Sequence, residues 1–303
     1  IKRKITPRTK AIIPVALYGL PPNMDEIMKI ADEHNLKVIL DAAEANMATL
    51  NGVNVAKLGH ICSFSFENSK HITCGDGGCL TTDDPDLATR ARKFASQGYK
   101  SITSAEGRIR INKEVFQDVN YSRHDSGGWN FRLSEICGAV LIAQLEKVDT
   151  FIKYRIEIAN AYAAVIKKTK CDFLIPQKVP KGYFNTYWCF TCKFDAEKAG
   201  CSWQEFRKKF MEFGGTSGIY AAWLPVYLEG VYKNYNFYGK GCPNKCPLYA
   251  GEVKYEQGLC PVTERIQPQL MQFVNNHQGV KDAQKEIDAL EKTICWFQEK
   301  ESL

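Results

Sequence analysis

The sequence predicts an α/β protein with a mostly parallel sheet in a large first domain and a smaller α+β domain after it. The first half alternates short apolar runs with helix signals, which is typical of parallel α/β folds. The second half has fewer, separate strands and a long loop-rich stretch. Its 303 residues correspond to about two domains at about 150 residues each. We therefore predict domains at 1–150 and 151–303.

Four short apolar runs in the first half predict strands, at residues 11–17, 36–40, 61–66 and 79–82. The continuous run at 36–40 suits a parallel strand that is buried on both faces. Two helices lie between these strands or follow them. Asn23 and Glu26 have the spacing of a capping box, and Asp84-Pro85 begins the second helix with proline at its first position. The predicted buried face of that second helix is Leu87, Ala91, Phe94 and Ala95.

The chain then enters a polar segment at 100–128, and a loop of that length inside a domain is usually functional. Helices are predicted at 133–148, 151–168 and 282–297, and a strand at 187–194. Ser202 and Glu205 form another capping box, with Gly214 after the helix end.

Composition argues against several classes of protein. The formal net charge is +6 and is spread along the chain, whereas a nucleic-acid binder would concentrate it. No apolar run approaches the roughly 20 residues of a membrane span, and no secretory signal opens the sequence. We expect a cytoplasmic protein whose 12 cysteines are reduced. The Cys189–Cys192 and Cys242–Cys246 pairs do not have a recognised zinc spacing, so no metal site is predicted.

Reactive side chains follow two of the predicted strands, at the carboxyl ends where ligands bind in parallel sheets. Asp41 comes directly after LKVIL, and Lys70 lies between HICSFSF and the glycine-rich CGDGG. Ser63 and Ser65 alternate with phenylalanines on the second of these strands. Pyridoxal phosphate (PLP) requires a lysine amine and an acid facing its ring nitrogen. On spacing alone, a solvated loop lysine and an aspartate in a turn or helix cap are the simpler interpretations.

Longer blocks of sequence carry a more specific signal. These are ITPRTKAIIPVALYG, LKVILDAAEA, HICSFSFENSKHITCGDGGCLTT, GWNFRLSEICGAVLIAQLEKVD and GIYAAWLPVYLEGVY. The blocks occur in the same order as in the DegT/DnrJ/EryC1/StrS sugar aminotransferase family of fold-type I PLP enzymes, and through them the chain resembles that family. The resemblance covers Ile5 to about Trp296.

The resemblance implies a role for five residues. Lys70 would be the Schiff-base lysine and the proton shuttle. Asp41 would pair with the pyridinium nitrogen, and Glu44 would lie near the 3-hydroxyl of the cofactor. Ser65 would bind the phosphate. Asn130 would reach the phosphate of the partner subunit's cofactor, which implies a homodimer with shared sites.

The implied reaction transfers an amino group, commonly from L-glutamate, to a keto sugar by a ping-pong route through pyridoxamine phosphate. The sugar is usually nucleotide-linked, often a 4-keto-6-deoxy hexose. Lys100, Arg108, Arg110 and Arg123 are candidates to bind a diphosphate, and a solvated basic loop explains them equally well. His71 and Thr73, which lie next to Lys70, are interpreted as ordinary turn residues.

Three alternatives stay open. Some members of the family dehydrate sugars with PLP or pyridoxamine phosphate, but they have histidine at the lysine position, so Lys70 argues against that activity. An aminotransferase that acts on an octulosonate or a cyclitol is a second alternative. The third is a catalytically silent, truncated relative. Family members extend upstream of Ile5, so we expect the large domain to be incomplete at its N-terminus and to bind PLP more weakly than an intact relative.

Overall fold

The computed structural model describes residues 1–107, 111–216, 220–221, 224–235, 237–239, 241–245 and 247–301. The chain divides into two compact units, one made of Ile1–Ile156 with Val179–Trp188 and the other of Glu157–Lys178 with Cys189–Leu303. The domain boundary predicted near residue 150 falls in the long helix through which the chain passes from the first unit to the second.

The helices and strands of the described residues are, in chain order, β1 (Ala11–Ile12), α1 (Met24–Glu33), β2 (Lys37–Asp41), β3 (Thr49–Leu50), β4 (Val53–Asn54), β5 (Ile61–Ser65), β6 (Gly78–Thr81), α2 (Pro85–Ala95), α3 (Lys113–Gln117), α4 (Glu135–Leu145), α5 (Val148–Lys168), β7 (Leu174–Pro176), β8 (Tyr183–Phe184), β9 (Phe190–Phe194), α6 (Trp203–Glu212), β10 (Tyr220–Ala221), α7 (Gly230–Lys233), α8 (Pro261–Ile266), β11 (Leu270–Phe273) and α9 (Gln284–Glu301).

The main sheet of the first unit has the strand order β1-β2-β5-β6. β1, β2 and β5 are parallel and β6 is antiparallel to β5. Val38 and Leu40 of β2 and Cys62 of β5 are fully buried, and α1 packs its apolar face into the same core. β2 forms one residue along from the predicted run at 36–40. Its burial alternates, because Ile39 between the buried Val38 and Leu40 is only partly covered, so the expected burial on both faces is incomplete.

A second, three-stranded sheet of the first unit has the order β4-β3-β8. β8 comes from the segment Val179–Trp188, so residues far along the chain complete this unit. Among the described residues, no helix is both long enough and apolar enough to cross a membrane.

Two sequence-based expectations for the first unit are wrong in detail. The strand predicted at 11–17 ends at Ile12, because Pro14 has no N–H to continue a ladder, and Val15 makes only a single bridge to Asp41. The predicted buried face of α2 is not buried by the described chain, and Phe94 is 49% exposed. The C-terminal end of α2 contacts the loop around Trp129, whose N–H donates to the Phe94 carbonyl at 2.7 Å. Lys93 there also forms an ion pair with Asp125, and Arg92 donates to the carbonyls of Thr103 and Ser104.

The second unit is built on the antiparallel sheet β10-β11-β9-β7. Aromatic side chains from the sheet and from α5 pack together in its core, including Tyr162, Phe190 and Phe273. The predicted capping box at Ser202 and Glu205 is present in both directions. The strand predicted at 187–194 begins only at Phe190.

The predicted fold class is confirmed by the first unit's parallel-rich sheet with helices and by the solved relatives described below.

Candidate active site

Two of the predicted site residues, Asp41 and Ser65, lie at the carboxyl ends of β2 and β5, on one edge of the sheet. Asp41 is the last residue of β2 and lies opposite Ser63 in the parallel register, and Ser65 ends β5. Asp41 Oδ1 accepts a hydrogen bond from the Ala43 N–H at 3.0 Å. Ser65 Oγ accepts one from the Glu67 N–H at 3.3 Å. Within the described chain, Asp41 Oδ2 and the Ser65 hydroxyl proton have no further protein partner.

Lys70 follows β5 in a tight turn. Its N–H donates to the Glu67 carbonyl at 3.1 Å, and Glu67 Oε2 accepts from both the N–H and the hydroxyl of Ser69, at 2.9 and 2.6 Å. The Lys70 side chain is only 15% exposed. Its amine is thus held near the sheet edge and is not a freely solvated loop lysine.

Glu44 is the acidic neighbour of Lys70. Glu44 Oε1 lies 3.8 Å from Lys70 Nζ, and Glu44 Oε2 accepts from the Tyr18 N–H at 3.1 Å. Burial raises the pKa of Glu44, and the nearby Asp41 carboxylate raises it further, whereas the Tyr18 N–H and the Lys70 ammonium lower it. Glu44 is therefore within electrostatic reach of both Asp41 and Lys70, so the structure brings three of the five predicted site residues together.

The segment Val179–Trp188, called the strap below, lies against the turn at Tyr18–Gly19. The Thr186 N–H donates to the Gly19 carbonyl at 3.0 Å, and the Trp188 N–H donates to the Tyr18 carbonyl at 3.2 Å. Gly19 has a φ of +96°, and a Cβ there would lie 2.4 Å from the Tyr187 nitrogen. Only glycine allows this close approach of the two backbones.

The strap places an aromatic ring beside Lys70. Lys70 Nζ lies 5.1 Å from the centroid of the Trp188 ring, within the range of a cation–π contact. The Trp188 Nε1–H donates to the Ser69 carbonyl at 2.8 Å, and the ring stacks on Tyr18 with 6.4 Å between centroids. The amine of Lys70 therefore has a carboxylate and an indole among its neighbours.

His71 has a different environment from Lys70, although it is the next residue. Its ring is buried, and Nε2 lies 3.0 Å from the Thr186 carbonyl oxygen of the strap. A carbonyl only accepts hydrogen bonds, so Nε2 carries the proton. Burial and the Arg155 guanidinium lower the pKa of His71 to about 3. This residue ties the Lys70 turn to the strap, which goes beyond the simple turn role that the sequence suggested.

The structure does not bring Asn130 to this group of residues. Asn130 is exposed and makes an antiparallel bridge to Ser96, just after α2. This bridge places Asn130 at the end of α2, and its predicted reach toward a partner subunit stays a prediction.

Two of the four candidate cations for a diphosphate can be placed. Lys100 Nζ lies 4.3 Å from the Tyr121 ring centroid, and the Arg123 guanidinium lies 4.1 Å from that of Phe116. The other two, Arg108 and Arg110, are outside the described residues.

The cysteines form no metal site in the part of the chain that is described. No group of three or more His, Cys, Asp or Glu side chains there has an arrangement that could hold a metal ion. Cys189 and Cys192 are buried, and burial raises the pKa of the Cys192 thiol well above its usual value.

Sequence reasoning missed Trp188 and Tyr18 as parts of this site. Both lie far from Lys70 along the chain, and no local spacing links them. The available signals were Gly19, which marks a close approach of backbones, and a tryptophan two residues before the strand Phe190–Phe194.

The DegT/DnrJ/EryC1/StrS aminotransferase family matches residues 1–287. The chain belongs to this family, which confirms the resemblance seen in the sequence.

Individual relatives agree with this assignment. The GDP-perosamine synthase of Escherichia coli O157:H7 is 38% identical over 188 residues, which are 62% of this chain and 46% of that protein. The chain therefore spans about half the length of the curated relatives it matches. S. venezuelae DesV, solved in complex with a ketimine intermediate, superposes with a TM-score of 0.73 at 26% identity, covering 97% of this chain and 67% of DesV.

A second solved relative, the E. coli GDP-4-keto-6-deoxy-D-mannose-3-dehydratase, was solved with bound hydrated PLP. It superposes with a TM-score of 0.72 at 23% identity, covering 97% of this chain and 69% of that one. The cofactor implied by the sequence resemblance, PLP, is the cofactor of this family.

The residues present fit this cofactor. Among the residues that the structure describes, Asp41 Oδ2 and the hydroxyl proton of Ser65 have no hydrogen-bond partner, so they could meet a pyridinium nitrogen and a phosphate. Both lie at the sheet edge where ligands bind in such folds. Lys70 supplies an amine that is largely covered by protein.

Proposed function

We propose that the protein is a PLP-dependent aminotransferase that transfers an amino group from an amino acid to a nucleotide-linked keto sugar. The observation that carries this proposal is the position of Lys70. Its amine is largely covered and lies beside Glu44, in the turn that follows β5, the strand paired with the one that ends in Asp41. Family membership and the sugar-processing relatives support it.

PLP, when bound, supplies an electron sink that stabilises negative charge on the substrate carbon next to nitrogen. Asp41 would hold the proton on the ring nitrogen through Oδ2, since an anionic carboxylate favours the protonated ring. Ser65 would donate its hydroxyl proton to the phosphate. Glu44 would face the 3-hydroxyl, at the position next to Lys70.

Lys70 has two tasks. Its Nζ would hold the cofactor, and as a free amine it would take a proton from the substrate carbon and return it, as a general base and then a general acid. Glu44, 3.8 Å away, provides a counter-charge for the ammonium form of Lys70 after each proton removal. The side chain thus alternates between two protonation states at one position.

The amino donor is L-glutamate in this proposal, and the acceptor is a 4-keto-6-deoxy sugar nucleotide. The GDP-linked product in the name of the E. coli relative supports a nucleotide-linked acceptor. We propose a homodimer in which Asn130 of each subunit serves the partner's site, because this exposed side chain makes its contacts away from Lys70. The cytoplasmic location stays a prediction from the sequence.

The donor half-reaction tests the activity. The purified chain, loaded with PLP and mixed with L-glutamate, should release 2-oxoglutarate in an amount equal to the bound cofactor and convert that cofactor to its amine form. Lys70→Ala should release none. A PLP-loaded chain that leaves glutamate unchanged would contradict the proposal of a glutamate-dependent aminotransferase.

A further inference from the structure

Trp188 makes direct contacts with the Lys70 turn at two points. Its ring N–H donates to the carbonyl of Ser69, the residue before Lys70, at 2.8 Å. The face of the same ring lies 5.1 Å from Lys70 Nζ. One side chain therefore contacts both the backbone that carries Lys70 and the amine at the end of its side chain.

Trp188 is itself fixed by its surroundings in the first unit. Its carbonyl accepts from Arg155 Nη1 at 2.5 Å, and its N–H donates to the Tyr18 carbonyl at 3.2 Å. The ring stacks on Tyr18 with an interplanar angle of 14°. The two backbone bonds fix where Trp188 lies, and the Nε1–H bond to Ser69 with the stacking on Tyr18 orients the ring, so that its face lies toward Lys70.

From these contacts we infer that Trp188 is a positioning residue for Lys70. This inference rests on the proposed function, in which Lys70 is catalytic. The ring attracts the ammonium form through the negative charge on its face and covers one side of the amine against solvent. The bond to Ser69 fixes the turn, so the amine stays between the indole and Glu44 when it is not bound to the cofactor.

The inference assigns a function to the strap beyond completing the fold. A tryptophan that only fills space would contribute to stability without changing the chemistry of one lysine. A positioning residue changes the reactivity of Lys70 specifically, and this difference can be measured without the cofactor.

Lysine labelling of the unliganded chain makes that measurement. Trp188→Leu removes both contacts, and Trp188→Phe keeps a ring face but loses the N–H. Each variant and the parent are treated with trinitrobenzenesulfonate, and labelling of Lys70 and Lys209 is followed by peptide mass spectrometry. We expect the Lys70 to Lys209 rate ratio to rise about five-fold in Trp188→Leu, the size of one lost cation–π contact, and by less in Trp188→Phe.

Trp296→Leu is the matched control. Trp296 also lies over a lysine, with Lys209 Nζ at 4.3 Å from its ring centroid, but it is in the second unit. This variant should leave the absolute rate at Lys70 unchanged.

A Lys70 to Lys209 ratio that stays at the parent value in the Trp188 variants would overturn the inference. Circular dichroism identifies a variant that has not folded. If Trp188→Leu does not fold, the labelling ratio of Trp188→Phe tests the inference. Because the labelling uses no PLP, its result is separate from that of the proposed function. A parent chain that fails to bind PLP defeats the proposed function, whereas an unchanged labelling ratio defeats only the role of Trp188.

Discussion

Lys70 and His71 are adjacent in sequence, yet the structure gives them opposite electrostatic surroundings. Lys70 has the Glu44 carboxylate and the Trp188 ring as neighbours, and both favour a cation. His71 is buried, with Arg155 as its charged neighbour, and these surroundings disfavour a cation. A single step along the chain thus separates an amine suited to chemistry from a neutral ring that serves structure.

The depressed pKa of His71 predicts a loss of stability in acid. The pKa is about 3 in the folded chain against 6.5 for an unperturbed histidine, so the unfolded chain binds the proton first as the pH falls. Stability is therefore lost from about pH 6.5 downward. Between pH 7 and pH 5 this linkage amounts to about 2 kcal/mol. In urea unfolding, the free energy of unfolding should fall by about 2 kcal/mol less between pH 7 and pH 5 in His71→Gln than in the parent.

The exposed His34 provides the control for this experiment. His34→Gln should keep the pH dependence of the parent. If His71→Gln and the parent lose stability equally between pH 7 and pH 5, His71 is not buried as a neutral ring.

Glu44 predicts a pH effect of the other sign. Its pKa is raised by burial, so the unfolded chain loses the proton first as the pH rises, and ionisation of Glu44 costs the folded state stability above about pH 4.5. Glu44→Gln removes this cost. The melting temperature of Glu44→Gln minus that of the parent should therefore grow from pH 4 to pH 7.

Glu67, in the Lys70 turn, is the matched control, since hydrogen bonds from Ser69 lower its pKa. Glu67→Gln should lose stability relative to the parent over the same pH range. A difference for Glu44→Gln that shrinks toward pH 7 would show that the Lys70 ammonium outweighs burial at this site.

Local elements of the fold were the part most accessible from sequence. The apolar run of β2, the Asp84-Pro85 start of α2 and the capping box of α6 are decided by neighbouring residues, and the structure confirms them. Strand ends were less predictable. β1 stops early at Pro14, and Tyr187, with a φ of +46°, interrupts the extended chain before β9.

Helix α6 provides a direct test of packing in the second unit. Phe206 on this helix is fully buried, and its ring contacts those of Phe173, Phe194 and Phe297. Phe206→Ala should lower the free energy of unfolding by about 3–5 kcal/mol, since it leaves a cavity. Urea unfolding measures the change.

The control comes from the same helix. Met211 is 41% exposed, and Met211→Ala should change the free energy of unfolding by less than about 1 kcal/mol. Equal losses in the two variants would mean that Phe206 does not lie in the core of the second unit.

At the scale of the whole molecule, the fold class and the family were predictable, because strand–helix alternation and the blocks around Asp41 and Lys70 are local in sequence. The surroundings of Lys70 were only partly predictable. Asp41 and Ser65 follow from the strands that end in them, whereas Glu44 lies in the turn after β2 and was expected only from the family resemblance. Trp188 reaches Lys70 through the strap, a long-range arrangement that depends on pairing of β8 with β3, and no spacing in the sequence indicates it.

The proposed homodimer with shared sites predicts complementation between inactive variants. Lys70→Ala lacks the amine, and Asn130→Ala lacks the side chain proposed to serve the partner's site. Subunits mixed after mild dissociation should form hybrid dimers with one intact site in two and recover about a quarter of parental activity at equal mixing, because half of the dimers are hybrids. Activity that stays at the level of the separate variants would contradict sharing of sites.

The central claim, that Lys70 is the amine to which PLP binds, has a direct chemical test. The chain is incubated with PLP, the bound cofactor is reduced onto its lysine with borohydride, and the modified peptide is identified by mass spectrometry. The account predicts one dominant pyridoxyl-lysine, at Lys70, and none at that peptide in Lys70→Ala. Modification spread over surface lysines with Lys70 left unmodified would contradict it.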